Sequence, residues 1–303
     1  MIKTSTLFFI TILICFSLLD VLFTYSFKKG TFFKTQWIYN LKNKQLDYAV
    51  LGASRSLTAI DIGETNEVLG LVGLNLSLDG SLPTSQYLIL KLFLEHGNKI
   101  DQLIFNVNTW QIGIDSISHF SYPRFMPYAH DDAVYDYFKT YDDNWIYYRY
   151  VPFYRYAKFN FDWGLGMYAN SVFGMFKPNF DSLGSFYYPF YDYRGTREID
   201  DYAFDLTGDF KNLFKIHDLC KQYGIKLTVI FLPVVNLRYD EGYKDNMQQF
   251  EAMLAAKQIG FIDYGNAYNG QFALFTDETH FNKKGVKQFT NDYFIPLVDS
   301  LSH

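Results

Sequence analysis

The sequence predicts an α/β protein in which helices cover both faces of a parallel sheet. Short apolar runs, typical of buried strands, recur along the chain, and segments with helical periodicity separate most of them. Strands that alternate with helices form parallel sheets, and their crossovers are right-handed. The expected fold is therefore a doubly wound, three-layer α/β/α sandwich.

The amino terminus does not follow this alternation. Residues 6–25 are almost uninterrupted apolar sequence, long enough to cross a bilayer as one helix. Signal peptides usually have a shorter apolar core followed by small residues, whereas this run continues into bulky Tyr25 and Phe27. We expect an uncleaved signal anchor over residues 1–27, with a cleaved peptide as the alternative. Asp20 lies inside this span, where a carboxylate is costly unless it reaches the interface or a membrane partner.

The first part of the predicted α/β domain, 46–110, follows a basic and aromatic connector at 28–45. A short buried strand at 47–51 ends abruptly at the small-residue turn Gly52-Ala53-Ser54. A second apolar run, 69–76, contains Asn75 and leads to a turn at Gly80. A helix is then predicted at 85–96 with Ser85 as its N-cap, and a third strand at 103–107 ends at Asn108.

The pattern changes between residues 111 and 204. Tyr, Phe, Asp and Arg follow one another without strand or helix periodicity, and five prolines interrupt them. We interpret this segment as an aromatic-rich insertion, or cap. Its aromatic runs at 145–150 and 186–191 could stack on sugar rings, lie at a membrane interface or pack against one another. The sequence leaves these three alternatives open.

The alternation of helices and strands resumes in the second part of the domain, 205–303. The predicted elements are a helix at 208–223 stopped by Gly224, a strand at 226–232, a helix at 243–257, a strand at 260–264 and a final helix at 283–301.

Composition limits the partners and cofactors. A net charge of −5 gives no reason to expect a nucleic-acid partner. Cys15 and Cys220 do not form a plausible disulfide, because Cys15 lies in the apolar leader. The sequence has neither a Cys/His cluster with the spacing of metal ligands nor a glycine-rich phosphate loop, so we expect no metal and no cofactor.

Ser54 is the candidate for chemistry, since open α/β sheets place ligands at the carboxyl ends of their strands. A serine needs a base that takes its proton. Of six histidines, His280 stands just before the last helix, and Asp277 precedes it by three residues, which allows a tight turn to set the carboxylate against the imidazole. Taken alone, Ser54 could be an ordinary turn residue, and Asp277 and His280 could cap the amino terminus of the last helix. The order of these three residues and their places along the predicted fold favour a catalytic site.

This ordered set resembles the SGNH (GDSL-like) hydrolase superfamily, whose four sequence blocks are spread along a doubly wound α/β domain. The matching residues, block by block, are Gly52-Ala53-Ser54, then Asn75 with Gly80, then Asn106-Val107-Asn108-Thr109, then Asp277-Glu278-Thr279-His280. The resemblance implies that Ser54 is the nucleophile, His280 the base and Asp277 its orienting carboxylate. It also implies an oxyanion hole formed by the N–H groups of Ser54 and Gly80 and the amide of Asn108.

Two blocks depart from the family pattern. Ala53 and Arg55 stand where the family often has Asp and Leu, and Asn106 and Thr109 replace Gly and Asp of the third block. The G-x-S-R form with an amino-terminal anchor is similar to a subgroup near cell-envelope acyltransferases, which includes alginate O-acetylation proteins and proteins that D-alanylate teichoic acids. Arg55 could bind an anionic substrate group or pair with Asp61, and we favour the second role.

The resemblance implies a membrane-anchored, extracytoplasmic esterase or O-acyltransferase. It would act on acyl groups, acetyl above all, of an envelope or exported polysaccharide through an acyl-serine intermediate. The expected partners are an acylated carbohydrate or acyl donor, the membrane, and a membrane-bound acyltransferase. The alternative from another class is a non-catalytic envelope assembly protein that binds glycan or such an acyltransferase.

Overall fold

The structure is a computed structural model that describes residues 2–30, 33–159, 165–166, 169, 173, 179–189 and 192–302. The chain divides into two compact units. One, the helical unit, comprises Met1–Asn40 and Ile117–Asn179; the other, the sheet unit, comprises Leu41–Ser116 and Phe180–His303. The domain boundaries predicted from the sequence remain predictions.

The sheet unit is built on a five-stranded parallel sheet, which confirms the predicted α/β class. Its strands are β1 (Gln45–Leu51), β2 (Gly73–Asn75), β3 (Lys99–Asn106), β4 (Lys226–Phe231) and β5 (Gly260–Asp263). The helices that flank them are α3 (Ser54–Ala59), α4 (Ile62–Leu69), α5 (Pro83–Glu95), α10 (Lys211–Tyr223), α11 (Glu241–Ala255), α12 (Lys283–Phe289) and α13 (Ile295–Ser302).

The strand order β2-β1-β3-β4-β5 determines where a ligand can bind. The chain runs outward from β1 to β2 and then returns to β3 on the other side of β1, so the winding direction reverses between β1 and β3. Ligands of open α/β sheets bind outside the carboxyl ends of the strands at such a switch point. The turn that follows β1 and the loop that follows β3 both lie at this edge.

The core of the sheet unit comes from the apolar runs that predicted the strands. Val50, Ile104 and Ile230 from three neighbouring strands are fully buried and belong to one apolar cluster. Phe289 of α12 and Val298 of α13 close that cluster from the helical layer. A long apolar contact surface of this kind holds the strand ends, and the loops that follow them, in fixed relative positions.

The prediction that Ser85 is the N-cap of α5 was wrong. The helix begins at Pro83 with Leu82 as the N-cap, and no side chain caps it. Proline suits the first helical position, because its fixed φ is already helical and its missing N–H has no partner there. Ser85 instead lies in the first turn, and its N–H donates to the Leu82 carbonyl oxygen at 2.9 Å.

The predicted single helix at the carboxyl terminus is divided by one π turn, Thr290–Phe294, between α12 and α13. Pro296 lies in the first turn of α13 and has no N–H to give to the carbonyl four residues earlier, with which its ring also clashes. A wider turn at that point accommodates the proline.

The helical unit contains the amino-terminal helix and most of the predicted insertion. Its helices are α1 (Ile2–Lys29), α2 (Lys34–Asn40), α6 (Ser121–Phe125), α7 (Asp132–Lys139), α8 (Trp145–Tyr150) and α9 (Tyr154–Phe159). Thr4–Lys29 of α1 is long and apolar enough to span a membrane, a criterion of length and composition that signal sequences also meet.

The aromatic run at 145–150 is divided between packing and exposure. Trp145 is fully buried and stacks on Phe138, with ring centroids 4.4 Å apart, and Tyr148 is also buried. Tyr147 and Tyr150 are exposed. The buried rings thus support the self-packing alternative, and the exposed ones leave a surface for another partner. In the second run, residues 190 and 191 lie outside the described residues.

Candidate active site

The turn between β1 and α3 presents Ser54. Gly52 has a φ of +154°, and a Cβ at this position would lie 2.9 Å from the backbone oxygen of Asn106. Only glycine lets the chain pass this close to the end of β3. Ser54 is then the first residue of α3 and is half-buried at the edge of the sheet.

His280 reaches Ser54 from the opposite end of the sequence. Its Nε2 lies 2.9 Å from the Ser54 Oγ. The other ring nitrogen, Nδ1, lies 2.9 Å from each carboxylate oxygen of Asp277. These are hydrogen-bond distances on both sides of the ring. The structure therefore brings together all three side chains that the sequence predicted as nucleophile, base and orienting group.

The Asp277–His280 turn holds its own carboxylate in place. Oδ1 of Asp277 accepts hydrogen bonds from the backbone N–H groups of Thr279 and His280, each at 2.9 Å. Burial acts to raise the pKa of Asp277, but the hydrogen bonds and the charge interaction with His280 outweigh it, and the pKa is lowered. The carboxylate therefore stays ionised at neutral pH, where it can stabilise an imidazolium.

Asn108 and Arg55 form a pair that the sequence did not predict. Arg55 is buried directly behind Ser54, and its Nη1 donates to Oδ1 of Asn108 at 3.1 Å. Its Nη2 donates to the carbonyl oxygen of Leu232 and, at 3.1 Å, to that of Pro233. The favoured pairing with Asp61 was wrong, since that carboxylate caps α4 by accepting from the N–H of Glu64. Arg55 instead positions the predicted oxyanion-hole amide.

Asn108 is held by both ends of its amide. Its Oδ1 accepts from Arg55, and its Nδ2 donates to Oε1 of Gln111 at 2.7 Å. An amide nitrogen carries two hydrogens, so one donor remains after the bond to Gln111. Burial lowers the pKa of Arg55 to about 10, which still leaves the guanidinium protonated at neutral pH.

The end of β2 and the loop after it carry the second predicted block. Nδ2 of Asn75, the last residue of β2, donates to the Ser56 carbonyl oxygen at 2.8 Å, which ties the end of this strand to α3. The carbonyl oxygen of Gly52 accepts from the Leu78 N–H at 3.0 Å and from the Ser81 hydroxyl at 3.3 Å. These bonds place the loop that contains Gly80 beside the nucleophile turn, whereas the role of its N–H as an oxyanion donor stays a prediction.

Tyr188 is a site neighbour that the sequence reasoning missed. Its ring meets the His280 imidazole edge-on, with centroids 5.5 Å apart. Burial, and then the charges of Asp277 and Asp79, raise the pKa of its hydroxyl. The aromatic run at 186–191 marked this residue as a candidate for sugar stacking, but no local pattern indicated its contact with the histidine.

The segment around Tyr188 belongs to the sheet unit rather than to the helical part of the insertion. The Phe186 N–H donates to the Leu57 carbonyl oxygen of α3 at 3.1 Å. The Arg194 N–H donates to the Thr276 carbonyl oxygen, just before Asp277, at 2.7 Å. One of these bonds attaches Phe186 to α3, which begins at Ser54, and the other attaches Arg194 to the residue before Asp277.

Within the part of the chain that the structure describes, no group of three His, Cys, Asp or Glu side chains is arranged to hold a metal ion. The chemistry that this arrangement allows is nucleophilic attack by a serine hydroxyl, with proton transfer to an oriented imidazole.

No protein-family model matches the sequence, and no curated protein matches it. Twelve solved chains resemble it, and two of these remote similarities are described here. A protein from Bacteroides fragilis described as a "putative acylhydrolase" is 11% identical, has a TM-score of 0.41 and is matched over 89% of this chain and 95% of its own. A protein from Streptococcus pneumoniae described as a "putative platelet activating factor" is 11% identical, has a TM-score of 0.39 and is matched over 97% of this chain and 99% of its own. Similarity at this level does not identify a function.

Proposed function

We propose that this chain is a serine esterase or O-acyltransferase of the SGNH type, anchored by α1 with its sheet unit outside the cytoplasm. One observation carries the proposal. The Ser54 hydroxyl lies 2.9 Å from His280, whose other ring nitrogen is 2.9 Å from the Asp277 carboxylate. Scattered side chains would favour the non-catalytic assembly role, and this geometry favours catalysis.

The first half of the reaction forms an acyl-enzyme. The Ser54 oxygen attacks the carbonyl carbon of the ester while His280 Nε2 takes the hydroxyl proton. Asp277 holds the ring in the tautomer with its proton on Nδ1, which leaves Nε2 free to accept. When the tetrahedral intermediate collapses, the bond to the leaving alcohol breaks, and His280 returns the proton to that oxygen.

The second half of the reaction decides between hydrolysis and transfer. Water or a sugar hydroxyl gives its proton to His280 and attacks the acyl carbon, and the Ser54 oxygen leaves with the proton that His280 returns. Water makes the protein an esterase, and a sugar hydroxyl makes it a transferase. Both outcomes use the same residues.

Negative charge develops on the carbonyl oxygen in both halves. The donors assigned to it are the N–H groups of Ser54 and Gly80 and the Nδ2 of Asn108. Removing one donor of this kind typically lowers kcat by about 10²–10³-fold. The firm hold of Arg55 and Gln111 on Asn108 supports a preorganised donor, because its orientation is set before substrate binds.

The substrate class rests on the resemblance, on α1 and on Tyr188. A membrane-anchored enzyme meets the acylated polysaccharides of the cell envelope, or receives acyl groups from a membrane-bound acyltransferase. The ring of Tyr188 beside His280 offers an apolar face with a polar tip, a combination suited to a sugar. We therefore assign acetyl or similar acyl groups on a carbohydrate as the substrate.

The test uses the full chain in detergent micelles with p-nitrophenyl acetate. We expect turnover, together with an acetyl adduct on Ser54 detected by intact mass and peptide mapping. Ser54→Ala should lower turnover by at least about 10⁴-fold and remove the adduct. Ser300→Ala, which removes a hydroxyl that only bonds the Leu297 carbonyl oxygen in α13, is the matched control and should change neither.

A fluorophosphonate probe extends the test to enzymes with a demanding acyl donor, because it reacts with activated serines whatever acyl group they prefer. Failure of the folded protein to react with either reagent at Ser54 would contradict the proposal. If acetate turnover occurs, added carbohydrate hydroxyls distinguish the two outcomes: transfer yields acetylated carbohydrate, and hydrolysis yields acetate alone.

A further inference from the structure

The second half of α1 is packed against protein. Phe23 is 2% exposed, and its ring contacts Phe153 edge-on at 5.0 Å between centroids. Phe27 is fully buried and stacks on Tyr156 at 5.6 Å. Phe16, nearly two turns before Phe23, still stacks on Phe153 at 6.1 Å. The turn between α8 and α9, together with α9, therefore contacts α1 over about 16 Å of its length. These two helices and the turn that joins them are here named the collar.

The collar also neutralises the one carboxylate of this helix. Asp20 Oδ1 lies 2.6 Å from Nη2 of Arg155, and Oδ2 accepts from the Phe153 N–H at 2.7 Å. Arg155 is fully buried, and its Nη1 donates to the Tyr148 carbonyl oxygen at 2.8 Å. A charge that pairs inside the protein does not prevent the surrounding surface from contacting lipid.

The opposite face of α1 is apolar and exposed over a length that fits a bilayer. Exposed side chains occur from Leu7 to Tyr25, and the 18 steps along the helix between these two residues, at about 1.5 Å each, span about 27 Å. The hydrocarbon core of a bilayer is about 30 Å thick. Lys28 and Lys29 follow three and four residues after Tyr25, and Lys29 Nζ lies 4.6 Å from the centroid of the Tyr25 ring. Tyrosine and lysine at this place are typical of the boundary between hydrocarbon and headgroups.

These lengths place the collar within the bilayer. If Tyr25 marks the boundary, Phe16 lies about 14 Å deeper, and the collar residue that stacks on it lies in the same layer. The large apolar side chains that the collar exposes are Ile146, Tyr147, Tyr150, Val151 and Tyr154. Ala157 and Lys158 of α9 are exposed as well, and a lysine can extend its ammonium group toward the headgroups.

We propose that the collar enters one leaflet beside α1, so that its exposed aromatic and aliphatic side chains contact lipid acyl chains and the inner edge of the headgroups. The partner is the bilayer into which α1 inserts. The inference concerns the helical unit alone and goes beyond the catalytic proposal, resting only on the anchor role of α1.

The experiment places an environment-sensitive NBD label at single cysteines in the full chain, reconstituted into phosphatidylcholine vesicles. The native thiols are first removed by Cys15→Ser and Cys220→Ala. Labels at Val151→Cys and Tyr147→Cys test the collar, and Leu13→Cys on α1 is the reference for a site in lipid. Val68→Cys is the matched control, because Val68 is 59% exposed and lies on α4 of the sheet unit.

We expect the collar labels to emit at shorter wavelength than the Val68 label. They should also be quenched by phosphatidylcholine that carries a nitroxide on its acyl chain, as the Leu13 label is. Water-like emission and no quenching at both collar positions, with quenching at Leu13, would overturn the proposal. Absence of quenching at Leu13 as well would also overturn the proposal, because α1 would then not lie in the bilayer, as the proposal requires. The labelling experiment tests the collar, whereas p-nitrophenyl acetate turnover tests the catalytic proposal, so either proposal can fail without the other.

Discussion

Asp277→Asn is the substitution that tests the mechanism most directly. Oδ1 of Asp277 accepts from two backbone N–H groups and lies 2.9 Å from the imidazole Nδ1, and Oδ2 lies 2.9 Å from the same nitrogen without a backbone donor of its own among the described residues. In the variant, the amide oxygen takes the Oδ1 position, because only an acceptor fits there. The NH2 group then faces Nδ1 and donates to it. We expect His280 to adopt the tautomer with its proton on Nε2, which cannot take the proton of Ser54.

The expected loss is large and falls on kcat. Inverting the tautomer of a catalytic histidine while keeping its position costs about 10⁴-fold in kcat, which corresponds to about 5.4 kcal/mol of transition-state stabilisation. The assay is p-nitrophenyl acetate hydrolysis by the full chain, with kcat and KM measured separately. Asp245→Asn on α11, an exposed carboxylate, is the control and should behave like the parent protein.

The same variant makes a prediction about stability and pH. Because the folded-state pKa of Asp277 lies below its ordinary value of about 3.8, the ionised carboxylate stabilises the fold above that pH. This contribution is lost as pH falls through the lowered pKa. Below about pH 3.8, the free energy of unfolding of Asp277→Asn should therefore fall less steeply with decreasing pH than that of the parent protein. A variant that is folded yet retains more than about a tenth of the parental kcat would refute the tautomer argument.

Three further predictions follow from buried groups. Arg55→Gln should lower kcat by up to about 10²-fold with little change in KM, because the arginine acts through the position of Asn108; a change confined to KM would point instead to a substrate contact. Arg155→Met should destabilise the helical unit by about 3–5 kcal/mol in denaturant unfolding, because it removes the guanidinium that pairs with the buried Asp20 carboxylate, and combining it with Asp20→Asn should restore much of that loss. Cys220 is 1% exposed and burial raises its pKa to about 12, so iodoacetamide at neutral pH should leave it unmodified until the protein unfolds; adducts on the folded protein would show that α10 opens.

The sequence by itself was sufficient for the fold class and for the three side chains, Ser54, Asp277 and His280, that the structure brings together. Strand and helix periods are short-range signals, and each recurs within a few residues, so the apolar runs that became β1, β3 and β4 were visible without a structure. Ser54 was marked by the small-residue turn that stops β1, and His280 by its spacing from Asp277. These signals depend only on neighbouring residues.

Tertiary structure decided which polar groups meet. Arg55 had several acceptors that it could reach, and only the packing of β1 between β2 and β3 brought it to Asn108, 53 residues away. Tyr188 lies 92 residues from His280, and no local pattern selects that tyrosine among 26. The same holds for Asp20 and Arg155. The reason is physical: a buried charge must find a partner, but the choice among equivalent partners depends on backbone positions that only the assembled fold defines.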